Sequence, residues 1–255
     1  MEIAGRAAVV TGAAAGIGAA VAAKLAAEGA RVAVVDLDRE AGAATAAGIG
    51  GAFVGADLAD RSAVPSMLDR AAALLGGIDI LVNNAGGATA GPYYPAVGAG
   101  EWQRTLDLNL YAVMLASQLA IERMTAAGGG AVVNIASSAG LGTDAHPIPE
   151  YAAAKAAVVR LTAVSAPLRE SAGIRVNCVC PGMVDTPSSR RSRARMTDAE
   201  LAALPPVMPA EHIAEVVAGL IADDTLAGRT VVCAGGEPPR LLPVRDWLGQ
   251  PQSGS

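Results

Sequence analysis

The chain has 255 residues, 52% of them apolar, enough for the core of one large α/β domain or two small ones. A formal charge of −5 argues against nucleic acid as a general partner. No apolar run approaches the roughly 18 residues that span a bilayer, and the N-terminus lacks a basic region followed by a long apolar stretch, so no membrane partner and a cytoplasmic location are expected.

Short apolar runs alternate along the chain with alanine-rich stretches. The predicted order is strand 7–11, helix 16–28, strand 31–36, helix 39–47, strand 52–56, helix 62–75, strand 78–83, helix 101–126, strand 131–137, helix 151–171, strand 174–178, helix 210–222 and strand 230–233. Most strand candidates are continuous Val/Ile/Ala runs rather than alternating ones, the pattern of strands covered on both faces. Alternation of this kind predicts a single-domain α/β fold over residues 1–248: a doubly wound parallel sheet of about seven strands with helices on both faces. Residues 186–209 interrupt the pattern. They are polar and basic, with Arg190, Arg191, Arg193 and Arg195 close together, and read as a lid over the substrate or as a mobile basic segment. Residues 249–255 read as a frayed, disordered tail.

The first strand runs into Thr11-Gly12-Ala13-Ala14-Ala15-Gly16-Ile17-Gly18, and a helix follows. Glycines there permit a tight turn and bring backbone N–H groups close to a pyrophosphate seated on the positive end of the helix. The second strand ends in Asp36, whose carboxylate can accept hydrogen bonds from both ribose hydroxyls of NAD and repels the 2′-phosphate of NADP. Leu37 beside it offers no positive charge, although Arg39 lies near. NAD is the expected cofactor.

The chain holds 17 arginines and only two lysines, and one lysine, Lys155, follows Tyr151 by four residues. Residues at i and i+4 share a helix face. An ammonium there can tune a second titratable group, which an arginine, always protonated, does less readily. A free phenol has a pKa of about 10, too high for a general base at neutral pH; Lys155 and the positive charge of oxidised nicotinamide are expected to lower it. Tyr151 would then act as general acid/base. Histidine chemistry has little material, with only His146 and His212, and Cys178, Cys180 and Cys233 form no Cys-x-x-Cys pair, so no metal site is expected and the cysteines read as small buried residues.

The glycine loop, Asp36, Asn83-Asn84-Ala85-Gly86, Asn109, Ser137-Ser138, Tyr151, Lys155 and Pro181-Gly182 together resemble the classical short-chain dehydrogenase/reductase family, in order over about residues 3–236. The resemblance implies a Rossmann-type sheet and NAD(P)-dependent interconversion of an alcohol and a ketone, usually by a homotetramer or homodimer. By the same resemblance Gly12, Ala15, Gly16, Ile17 and Gly18 hold the pyrophosphate, Asp36 and Leu37 the adenosine ribose, and Asp57 with Leu58 the adenine edge. Asn83, Asn84, Ala85 and Gly86 brace the sheet and line the cleft, and Pro181, Gly182, Val184 and Thr186 contact the carboxamide. Tyr151 and Lys155 complete that set. Asn109 corresponds to a position that holds a water joining Lys155 to solvent.

The catalytic serine is either Ser137, counting along the strand, or Ser138, counting back from Tyr151; strand register favours Ser137. The substrate pocket is expected from Tyr93 and Tyr94, residues 146–150, Met183 and the lid. The 238–248 segment, with Trp247, extends onto a neighbouring subunit or anchors locally. Two other functions compete: an NADPH-dependent reductase of 3-oxoacyl thioesters, against which Asp36 speaks, and a noncatalytic dinucleotide-binding regulatory protein, against which the intact relay residues speak.

Overall fold

A computed structural model describes residues 1–88, 91–142 and 145–244. The elements are β1 (Ala7–Thr11), α1 (Gly16–Ala27), β2 (Arg31–Asp36), α2 (Arg39–Gly48), β3 (Ala52–Gly55), α3 (Ala63–Leu75), β4 (Ile80–Asn83), α4 (Ala99–Leu106), α5 (Ala112–Ala126), β5 (Gly130–Ile135), α6 (Pro149–Val164), α7 (Leu168–Ala172), β6 (Ile174–Pro181), α8 (Pro187–Arg193), α9 (Asp198–Ala202), α10 (Ala210–Ala222), β7 (Thr230–Cys233) and β8 (Arg240–Leu241). The strand order is β3-β2-β1-β4-β5-β6-β7-β8, parallel throughout except for the last pair. Connections reverse direction between β1 and β4, and a crevice opens at the carboxyl ends of strands flanking such a switch point.

Continuous apolar strands are explained by their two covered faces. Val10, Val34, Val82 and Val133 pack with Leu25 of α1 and with Ile213 and Ile221 of α10. Their chain neighbours Val9, Val35, Leu81 and Val132 pack on the other side with Met67 and Leu68 of α3 and Met124 of α5. A third cluster joins Val158 of α6 to Cys178 and Cys180 of β6 and Val113 of α5. Among the described residues no helix is long and apolar enough to cross a membrane.

Strand ends shift by one to three residues, with β5 closing at Ile135 rather than 137 and β6 running on to Pro181 rather than stopping at 178, and four larger details differ from the sequence reading. The helix expected over 151–171 starts two residues earlier, with Pro149 in its first turn, and ends at Val164; Pro167, which has no N–H to continue the ladder, separates it from α7. The helix expected over 101–126 is interrupted by a π-helical turn, Asp107–Tyr111, in which the Ala112 N–H reaches back to the Asp107 carbonyl. The lid contains α8 and α9, each opened by a reciprocal cap, Thr186 with Ser189 and Thr197 with Glu200. Finally, β8 adds an antiparallel edge strand to β7, so the sheet has eight strands and residues 240–241 anchor locally. Trp247 and the 249–255 tail lie outside the described residues.

Candidate active site

The glycine loop joins β1 to α1 at the switch point. A Cβ at Gly18 would stand 2.2 Å from the Gly12 carbonyl oxygen, so only glycine lets the first helical turn close over the loop. Asn84 secures that loop from β4: its Nδ2 donates to the carbonyls of Thr11 and Gly12, each at 2.9 Å. The Thr11 hydroxyl, a residue that sequence reasoning placed in the loop without a role, donates to Val82 O and accepts from the N–H groups of Asn84 and Ala85. A threonine closing a buried strand ahead of a glycine loop was the available signal.

Asp36, at the end of β2, is oriented by the same loop. The Ala14 N–H donates to its Oδ2 at 2.9 Å and the Asp38 N–H to its Oδ1 at 3.0 Å, so each oxygen keeps a lone pair for a further donor. Leu37 is 61% exposed beside it. Asp57 accepts from Arg104 of α4 and from the Ala59 N–H. Leu58 is buried in the core, so it offers the crevice only its backbone. Across the crevice Val184 is buried and bridges to Met208, and the Gly182 N–H donates to Cys233 O, fixing the strand end that begins at Pro181. Thr186, the cap of α8, packs against the loop: its methyl carbon would lie 3.0 Å from a Cβ at Gly16. Ala15, Ile17 and Gly12 lie within the loop and first turn that these contacts hold.

Tyr151 and Lys155 project from the first two turns of α6. Lys155 is 3% exposed, its Nζ donates to Ile135 O at 3.0 Å, and it lies 5.7 Å from the centre of the Tyr151 ring. Burial pulls its pKa down from 10.5 to about 8. Burial also raises the Tyr151 phenol above its ordinary value, opposed by a hydrogen bond from the Ser137 hydroxyl. The expected lowering of the phenol is therefore not produced by the protein alone: burial outweighs the hydrogen bond from Ser137. His146 stacks beside Tyr151, with ring centres 6.0 Å apart, and its Nδ1 accepts from the Ile148 N–H.

The two serines are separated by backbone geometry. β5 ends at Ile135, and Ser137 is the extended residue that caps a 3₁₀ turn, Ser138–Gly140. Ser137 meets the phenol, whereas Ser138 is exposed. Asn109 lies within the π turn, fully buried. Its Nδ2 donates to Gly87 O and Thr105 O, and its Oδ1 accepts from the Gly87 N–H. Gly86 makes this packing possible, because a Cβ there would stand 2.7 Å from Asn109 Oδ1 and 3.0 Å from Lys155 Nζ. Serine, tyrosine, lysine and asparagine thus converge from β5, α6 and the π turn.

The remaining predicted pocket residues fare unevenly. Tyr93 and Tyr94 are exposed. In the lid, Arg190 makes a bidentate pair with Asp185 at 2.9 and 2.6 Å, and Arg193 adds a third contact at 2.6 Å. Arg191 and Arg195 are exposed. A cavity of about 560 Å³ lies against Asp185, Arg190, Arg193, Val207, Met208 and Pro209. Thr186, the next residue in the chain, packs instead on the glycine loop.

Residues 6–197 match the family described as "short chain dehydrogenase". Among curated proteins, the chain is 39% identical to cis-4-hydroxycyclohexanecarboxylate dehydrogenase of Sinomonas cyclohexanicum, over 86% of this chain and 90% of that protein. It is 44% identical to D-threitol dehydrogenase of Mycolicibacterium smegmatis, over 71% of each, and 36% identical to meso-2,3-butanediol dehydrogenase of Serratia marcescens, over 89% and 92%. A solved short-chain type dehydrogenase/reductase from Mycobacterium marinum superposes with a TM-score of 0.83 at 32% identity, covering 92% of this chain and 96% of that one.

Proposed function

This chain belongs to the short-chain dehydrogenase family, an oxidoreductase family that works with nicotinamide cofactors, and on that premise we propose that it oxidises a secondary alcohol with NAD. The observation that carries the reading is the convergence of the Ser137 hydroxyl on the Tyr151 phenol above a buried Lys155. The crevice suits a dinucleotide: the glycine loop is closed to side chains at Gly18, and Asp36 stands with its oxygens oriented and free to accept from a ribose. Bound oxidised NAD supplies the hydride acceptor and a positive charge beside the phenol.

Tyr151 takes the proton of the substrate hydroxyl, and the Ser137 hydroxyl donates to the oxygen whose charge changes, a fixed dipole that needs no reorganisation. Lys155 favours the phenolate and relays its proton outward. Asn109 orders Gly86 and Gly87 beside that ammonium, and a water on Asn109 completes the exit. Names of the relatives point to cyclic alcohols and diols, and we carry that class to this chain. Asp185 engages Arg190 and Arg193, so these two arginines are not the expected partners of a substrate carboxylate. A homotetramer or homodimer belongs to the same reading; exposed Trp102 on α4, Tyr111 on the π turn and Met114 on α5 support it.

The test is a screen of secondary alcohols, diols among them, with NAD and with NADP, following reduced nicotinamide and using Tyr151→Phe as the blank. Turnover with NAD that disappears in the variant is expected. Activity that survives in Tyr151→Phe removes the mechanism, and a higher specificity constant with NADP removes the cofactor assignment.

A further inference from the structure

The turn that carries Asn109 is held from outside its own helix. π turns are rare inside helices and recur at functional sites, so what keeps Asp107–Tyr111 in that form bears on the site. From within, Asn109 Nδ2 donates to the Thr105 carbonyl at 2.9 Å, and a side chain thus reaches an oxygen that an α-helix gives to a backbone N–H. From without, Arg61 grips both ends. Its Nε and Nη2 donate to Asp107 Oδ1 at 3.0 and 2.7 Å, and its guanidinium carbon lies 4.3 Å from the centre of the Tyr111 ring. Asp107 and Tyr111 are the first and last residues of the turn. Gln103 adds a third donor to the same Asp107 oxygen at 3.0 Å.

An isolated exposed ion pair contributes little. This one differs, because the Asp107 side chain is only 15% exposed, the same cation covers an aromatic ring, and Arg61 stands on a loop that is itself fixed. That loop, between β3 and α3, holds two Asx turns: Asp57 accepts from the Ala59 N–H, and Asp60 from the Ser62 N–H and hydroxyl. It also meets α4 through a pair of opposite sense, with Asp57 accepting from Arg104 at 3.0 Å. Loop and helix are therefore joined twice. On its far side the turn reaches the lysine. Asn109 exchanges two hydrogen bonds with Gly87, and a Cβ at Gly86 would stand 2.7 Å from Asn109 Oδ1 and 3.0 Å from Lys155 Nζ. So little room separates the two side chains that a displaced Asn109 opens the ammonium to water.

We propose that Arg61 is a positioning residue for the proton exit: by clamping both ends of the π turn it keeps Asn109 on Gly87 and opposite Lys155, and so ties the loop of the expected adenine contact to the lysine. The proposal rests on the reading of Asn109 as part of that exit. Arg61 touches neither the phenol nor the ammonium among the described residues; it acts through the turn.

The chain's two lysines make this measurable in the full-length protein without cofactor or alcohol. A negative result therefore bears on Arg61 alone, whereas failure of the alcohol screen bears on the reaction. Lysine labelled with carbon-13 at Cε gives two resonances. Lys24 on α1 should titrate above its ordinary value because Glu215 of α10 and Glu28 hold it, and it reports that each variant is folded. Lys155 should titrate near 8 in the wild type. Arg61→Met and Asp107→Asn are each expected to raise that midpoint by about half a pH unit or more, because water reaching the ammonium relieves the burial that lowers it. Arg61→Lys, which keeps a cation without the flat fork, should give a smaller rise. A long-range field alone predicts otherwise: loss of a cation raises an ammonium's pKa and loss of an anion lowers it. Shifts of opposite sign in Arg61→Met and Asp107→Asn, or no shift in either, overturn the proposal. Should Arg61→Met fail to fold, Asp107→Asn decides alone, since an upward shift there runs against its field effect.

Discussion

Replacing Lys155 by methionine should remove activity and make the protein more stable. The burial that pulls Lys155 from 10.5 to about 8 is a penalty on the charged form in the folded state, worth about 3 kcal/mol at 1.36 kcal/mol per pH unit. Methionine fills a similar volume without the charge, but leaves the Ile135 carbonyl without its donor, which costs about 1 kcal/mol. A net gain of about 2 kcal/mol is expected at pH 7. Its pH dependence has a definite sign. A lysine with a depressed folded-state pKa binds fewer protons folded than unfolded between about 8 and 10.5, so wild-type stability rises with pH across that window. The methionine variant has no such term, and the gap between them should close as pH rises from 8 toward 10.5. Urea unfolding of both proteins at pH 7 and at alkaline pH measures it. A variant less stable than wild type at pH 7, or a gap that does not change with pH, would refute the reasoning.

Three further changes probe separate parts of the site. Ser137→Ala should lower turnover about 100-fold by removing the donor to the reacting oxygen, while Ser138→Ala, at an exposed position, should leave it near wild type; steady-state kinetics of the pair decides, and the reverse order would reassign the serine. Asp36→Ala should reduce the specificity constant for NAD roughly 10- to 100-fold through loss of charge-assisted hydrogen bonds and raise that for NADP; an unchanged ratio of the two constants would count against the ribose assignment. Asn134→Ala should destabilise the fold by about 2–4 kcal/mol, because its amide joins Asn83 and Ser117 on one side to Thr162 on the other; a loss under about 1 kcal/mol in urea unfolding would show that these buried groups find other partners.

Much of this was legible in the sequence for particular physical reasons. Strands covered on both faces must be apolar throughout, so Ala7–Thr11 and Arg31–Asp36 stand out as continuous runs and were bounded correctly. Tyr151 and Lys155 stood out because a lysine is rare in this arginine-rich chain. What escaped was nonlocal or depended on caps. Asn109 could be marked as a poor helix former, but the π turn that buries it is set by Gly86 and Gly87 arriving from β4. Pro167 was a visible stop signal overridden by the alanine-rich run before it. The capping boxes at Thr186 and Thr197 were also visible, yet five- and seven-residue helices carry too little periodicity to separate from a loop. The phenol's raised pKa could not be read at all, because burial of one side chain against another is a property of the packed state.

That last point shapes how the site should be understood. In the free protein the two groups are inverted relative to the roles proposed for them: Lys155 gives up its proton near 8, while Tyr151 keeps its own above the ordinary phenol value. Groups this close titrate as a pair, so a rate profile reports the pair and not either residue. The dry surroundings responsible for the inversion also make each added charge count for more, because a cation placed beside the phenol acts through low dielectric. If the proposed oxidised nicotinamide binds there, its charge, rather than the protein alone, would favour the phenolate. On the proposed reaction, a site arranged in this way would hold Tyr151 protonated until the hydride acceptor is present, a coupling that follows from the burial of Tyr151 and Lys155 together and not from their spacing.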